Sequence, residues 1–196
     1  MISLARLCRL GSYYAALYDG KGTLQCQICG TEAKDALDND DLSLETVEEL
    51  LGMINIPASS RRKHVIPRGE KKVQGLLFGL YCHHGAAGIT VATDECPHLV
   101  KLLAKIMKSV DPAFPFTSIQ VDANYASRPH VDKHNLGISY IVSLGFFTGG
   151  EIWVHDEKAI GPGSRLHRLS EADGDVSDEY RAGGIYPGQV TDVYHF

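Results

Sequence analysis

Apolar residues recur along this chain at two periods. Leu44, Val47, Leu50, Leu51 and Ile54 fall on one stripe at a period near 3.6, which predicts an amphipathic helix over 44–54. Ser43 suits its N-cap, Glu45 and Glu48 sit near its positive end, and Pro57 follows it. A second helix is predicted where Thr93 or Asp94 can cap a run with Pro97 in its first turn. Its stripe is Leu99, Val100, Leu102, Leu103, Ile106 and Met107, and Pro112 lies just beyond. Leu4, Leu7 and Leu10 share the same spacing, so an N-terminal helix is expected over the first 18 residues.

Elsewhere the pattern is that of strands. Leu76–Cys82, Gly88–Ala92, Thr117–Val121, Ile138–Leu144, Glu151–His155 and Val190–Phe196 read as short β segments divided by turn residues. Residues 157–185 read as loop, punctuated by Gly161, Pro162, Gly163, Gly174, Gly183 and Gly184. The chain divides into a poorly patterned N-terminal region, 1–63, holding the helix near 44–54, and a sheet-rich domain, 64–196. The expected class is α+β, mainly β: a sandwich or roll braced by helices.

Composition narrows the function classes. The 196 residues are 44% hydrophobic and 22% charged, as in ordinary globular domains, and the net charge is −5. No apolar run approaches a bilayer-spanning length, so no membrane partner is expected, and the acidic balance gives no reason to expect nucleic acid. Arg61-Arg62-Lys63 reads as a solvated linker, with phosphate binding as the alternative. The cysteines, Cys8, Cys26, Cys29, Cys82 and Cys96, are odd in number and lack the spacing of a disulfide scaffold. Reduced thiols and an intracellular, cytoplasmic location are expected. The N-terminal segment, with Arg6, Arg9 and no acid, leaves organelle targeting as an alternative.

His130-Val131-Asp132 is the sharpest local feature. On a strand, residues i and i+2 point to one face, so an imidazole and a carboxylate so spaced can grip one metal ion. With a distant histidine they would make a facial triad that leaves positions open for a co-substrate and oxygen. The bland alternative is a hydrogen-bonded histidine beside a loop aspartate. His155-x-Glu157 is a similar pair. Cys26-Gln-Ile-Cys29 has the shape of one zinc knuckle, to which Cys82-His83-His84 or Cys96-Pro97-His98 would have to add ligands. No second C-x-x-C exists, so packed thiols are the preferred reading over zinc. No phosphate loop and no nucleophile elbow is present.

The segment from Ser118 through Asn124-Tyr125-Ala-Ser-Arg128-Pro-His130-Val-Asp132 to Gly145, followed by Thr148-Gly-Gly-Glu-Ile-Trp-Val-His155, resembles the Fe(II)/2-oxoglutarate-dependent dioxygenase superfamily. Tyr186-Pro-Gly-Gln and Val190-Thr-Asp-Val look like a subgroup of such proteins found in microalgae. The resemblance covers about residues 65–196. It implies a double-stranded β-helix (jelly-roll) core with supporting helices. It further implies Fe(II) held by His130 and Asp132, 2-oxoglutarate as co-substrate, and Asn124, Tyr125 and Arg128 nearby to hold co-substrate or substrate. The implied reaction oxidises a C–H bond of an unknown small-molecule or protein substrate, with 2-oxoglutarate decarboxylated to succinate.

The family pattern continues past the point this chain reaches. Its distal histidine and the basic residue that follows have no counterpart before Phe196, which implies a roll lacking its final strands. His155, His167 and His195 are substitutes for the third ligand, none at the family position, with His155 the weak candidate named for the metal. Three readings stay open: an active dioxygenase, an inactive relative or binding module, and a zinc-stabilised interaction module built on Cys26 and Cys29.

Overall fold

The computed structural model describes residues 2–6, 23–83, 85–124, 127–128, 138–145, 152–155, 165–170, 176–186 and 191–194. In chain order these form β1 (Ile2–Arg6), α1 (Thr23–Asp38), α2 (Leu44–Met53), β2 (Ala58–Ser59), β3 (Val73–His83), β4 (Ala86–Ile89), α3 (Val91–Glu95) and α4 (Pro97–Val110). β5 (Ser118–Ala123), β6 (Ile138–Leu144), β7 (Ile152–His155), β8 (Arg165–Ser170), β9 (Val176–Tyr186) and β10 (Thr191–Tyr194) follow.

Two of the three helices expected from periodicity are present. Ser43 caps α2: its Oγ accepts the Thr46 amide at 3.3 Å. Asp41 braces the cap, accepting from the Ser43 amide at 3.1 Å and from the Thr46 hydroxyl at 2.6 Å. The stripe of α2 buries Val47, Leu50 and Leu51. α4 starts with Pro97 at its first turn, where the missing N–H is harmless, and buries Leu99, Leu102, Leu103 and Met107. Lys108 closes its last turn by donating to the carbonyls of Pro112 (3.1 Å) and Phe114 (2.6 Å). α1 contributes Cys29, Ala33 and Ala36, small residues that let it pack closely on its neighbours.

These helices cover one face of the larger sheet. A single hydrophobic cluster joins the buried residues of α1, α2 and α4 to Phe78, Ile119, Val121, Ala123 and Leu144. Tyr140 lies at its rim, edge-on to Phe114 with ring centroids 4.6 Å apart, its hydroxyl donating to Asp111 at 3.0 Å. A smaller cluster, Val65, Ile66 and Val73, lies apart from it.

The larger sheet runs β10-β6-β1-β5-β3-β2, with β4 added to β3. β1 pairs in parallel with β5 on one side and β6 on the other, while the β3–β5 and β6–β10 ladders are antiparallel. β7, β9 and β8 form a separate antiparallel three-stranded sheet.

This is a mixed α+β fold with an open sheet, and it corrects the jelly-roll expectation. A jelly roll is built from antiparallel Greek keys. Here the strand between β5 and β6 is parallel to both, and the ladder ends at β10 and β2 without closing. Two local expectations change with it. Ile2–Arg6 is a strand and not a helix; Leu4 fits both periods, but Ile2-Ser-Leu-Ala also alternates. The stretch read as loop over 157–185 contains β8 and most of β9; Gly183 and Gly184 lie within a paired strand, facing His155 and Val154.

Gly79 marks the point where β3 changes partner from β5 to β4. Its φ is +89°, and a Cβ there would lie 2.2 Å from the Thr117 carbonyl oxygen. That same carbonyl accepts the Leu80 amide at 2.9 Å, while the Gly79 amide donates to Thr93 Oγ1 at 2.7 Å. Only glycine fits this crossing of backbones.

Candidate functional site

Alternation along β5 sends Ile119, Val121 and Ala123 into the core and leaves Ser118, Gln120 and Asp122 on the opposite face. The register places Gly75 of β3 across from Asp122 and Leu77 across from Gln120. Gly75 matters because it has no side chain. A Cβ there would stand 2.8 Å from Asp122 Oδ1 and 3.0 Å from Gln120 Nε2. Into that space reaches Arg62, whose Nη1 donates to Asp122 Oδ1 at 3.0 Å. Gln120 Nε2 donates to the same oxygen at 2.9 Å. One carboxylate thus collects a guanidinium and an amide, so the burial of Gln120 and Asp122 is matched by hydrogen bonds. On the same face of β6, Ser139 is 1% exposed, and its Oγ has no hydrogen-bond partner among the described residues.

Arg62 belongs to the loop 60–72, whose ends meet because Ser59 pairs with Val73. Arg128 fastens the loop from the other side. Its amide donates to the Val65 carbonyl at 3.2 Å, and its guanidinium donates to the Lys63 carbonyl. Arg128, which the resemblance places near the carboxylate of 2-oxoglutarate, has its Nη2 engaged with the Lys63 carbonyl. Asn124 is exposed and closes β5 with φ +55°, a left-handed conformation that asparagine tolerates better than most residues.

Tyr125, His130 and Asp132 lie outside the described residues, as does His195. His155 stands in β7 opposite Gly183, and His167 in β8 opposite Arg181. Cys26 and Cys29 share α1, three residues apart; Cys29 is fully buried and its Sγ donates to the Leu50 carbonyl at 3.6 Å. Cys96 is buried and Cys82 exposed. Among the described residues no three His, Cys, Asp or Glu side chains are grouped so that they could hold a metal ion. With the open sheet, this overturns the assignment to the Fe(II)/2-oxoglutarate dioxygenases and the oxygenase activity it implied, for an active and for an inactive member alike. A facial triad depends on a roll that carries a distal histidine back to the first two ligands.

The loop that anchors this site is held by Arg62 and Arg128, where the sequence suggests a solvated linker. Its sequence signal is the concentration of basic residues from Arg61 to Lys72; the pairing of Arg62 with Asp122 is visible only in the structure. Among the described residues no helix is long and apolar enough to cross a membrane, as the sequence led one to expect. No family model, no curated protein and no solved structure matches this chain.

Proposed function

We propose that this chain is a metal-binding module in which His130 and Asp132 supply two ligands to a divalent cation. The observation that carries the reading is the anchoring of Arg128, two residues before His130, through its amide to Val65 and its guanidinium to Lys63. A ligand pair gains affinity when the chain entering it is already fixed, because less conformational entropy is lost on binding. The chemistry of the pair supports a borderline or hard cation: one imidazole and one carboxylate, with water completing the shell. β5 and β6 both run parallel to β1, so the link from Arg128 to Ile138 has its ends at opposite ends of the sheet.

Mn²⁺ is the appropriate probe, since the cysteines would compete for a softer ion such as Zn²⁺. Titration of the whole chain followed by the electron paramagnetic resonance of free Mn²⁺ should show one saturable site. His130→Ala and Asp132→Asn should each weaken it at least roughly tenfold. Arg128→Ala should weaken it less, within the roughly 10–100-fold range of residues that position ligands. Equal Mn²⁺ affinity in the wild type and in the double variant His130→Ala/Asp132→Asn sinks the proposal.

A further inference from the structure

The loop 60–72 has its own construction. It leaves from Ser59 and returns at Val73, which are paired neighbours. Compact loops with joined ends and their own packing form a recognised class that frequently carries function. This one packs Val65 and Ile66 with Val73 in a small cluster separate from the main core. It is tied internally by Val65 N to Arg62 O at 3.1 Å and Glu70 N to Pro67 O at 3.2 Å. It is tied externally by the Arg62–Asp122 pair and by both donors of Arg128. A solvated linker has no use for so many tethers.

What this held loop presents is positive charge. Arg61, Lys63, Arg68, Lys71 and Lys72 are all exposed, and none has an ion-pair partner among the described residues. The one acid in the loop is Glu70. The contrast with the rest of the molecule is sharp, since the whole chain carries a net charge of −5. On the helices, two lysines are paired, Lys34 with Asp38 and Lys105 with Asp40, both at 2.6 Å, and Lys108 donates to the carbonyls of Pro112 and Phe114. Keeping like charges together on an ordered loop costs self-repulsion, which a multiply charged anion would relieve.

We infer that the loop 60–72 is a binding site for a compact, soluble polyphosphate-bearing molecule. Its arginines offer bidentate contacts to phosphate oxygens, and its lysines offer mobile point charges. A small ligand fits better than a membrane or a nucleic acid. The apolar side chains Val65 and Ile66 are buried, so the loop has no exposed aliphatic residue to insert into lipid. It contains no Phe, Tyr or Trp on which a base could stack, and a long polyanion would meet the acidic remainder of the chain.

The test is calorimetric titration of the whole chain with inorganic tripolyphosphate at two salt concentrations. Two triple variants of equal charge change are compared: Arg68→Gln/Lys71→Gln/Lys72→Gln in the loop, and Lys34→Gln/Lys101→Gln/Lys105→Gln on the helices. The expected result is one saturable site that weakens with salt, is lost roughly tenfold or more in the loop variant, and changes little in the helix variant. Circular dichroism of both variants should match the wild type, since the side chains of Arg68, Lys71 and Lys72 make no tether and the helix variant loses only two exposed ion pairs. Equal losses in the two variants would mean that net charge alone is being read, and would overturn the inference. So would the absence of saturable binding at low salt. Parallel titrations with vesicles bearing a phosphorylated inositol headgroup, and with a short DNA duplex, complete the test. Tighter binding to either than to tripolyphosphate would overturn the choice of a soluble ligand.

Discussion

Gly79→Ala tests the backbone crossing that redirects β3. Two costs are separable there. The first is conformational: at φ +89° a residue with a Cβ is strained by about 1–3 kcal/mol. The second is contact. The new Cβ would sit 2.2 Å from the Thr117 carbonyl oxygen and 3.1 Å from Ser118 Cα, both backbone atoms that cannot swing aside like a side chain. Moving that carbonyl stretches or breaks its bond from the Leu80 amide, now 2.9 Å long, for a further loss of about 1 kcal/mol or more. Gly69→Ala provides the control. Its φ is +88°, nearly the same, but a Cβ there meets nothing within 4 Å. The conformational cost is therefore common to both variants, and their difference reports the crossing alone. Urea unfolding followed by circular dichroism should place Gly79→Ala below Gly69→Ala by at least about 1 kcal/mol. With a slope of roughly 2 kcal/mol per molar urea, that is a midpoint shift of about 0.5 M. Midpoints that coincide would show that the β3–β5 crossing is not as close as described, and the account of why β3 changes partner would fall with it.

Two further predictions concern the helices. The hydroxyl of Thr46, then the hydroxyl and amide of Ser43, hold the Asp41 carboxyl below its ordinary range. A depressed value in the folded state gives a contribution that is present above the unfolded value, about 3.9, and is lost as pH falls through the folded one. Asp41→Asn should therefore lower the urea midpoint at neutral pH and converge on the wild type in strong acid; a gap that stays constant with pH would contradict the assigned hydrogen bonds. Leu102→Ala, at a fully buried position of α4 in the cluster shared by the helices and the sheet, should cost about 2–5 kcal/mol, read from the same denaturation curves, and a loss under about 1 kcal/mol would show that α4 does not pack as described.

Several features were legible along the chain because each depends on neighbours in sequence. The α2 cap at Ser43, the stripe Leu99–Met107, the proline that opens α4 and the strand Ile138–Leu144 are all set by residues a few positions apart. Local alternation in β5 likewise separated Ile119 and Val121 from Gln120 and Asp122. Tertiary structure alone decided which strands meet. Nothing within Ile2–Arg6 announces that it inserts between β5 and β6, for backbone donors and acceptors pair with any strand at the right distance. That insertion makes the sheet mixed and open, and it removes the roll implied by the order of motifs around His130. The partnership of Arg62 with Asp122 was hidden for the same reason. A cation and a carboxylate 60 residues apart carry no mutual signal until Gly75 leaves the space in which they meet. Sequence determined the local periods and caps, through interactions that reach one helical turn or one strand step; the choice of partners across the sheet was fixed only by which faces the folded chain could bury together.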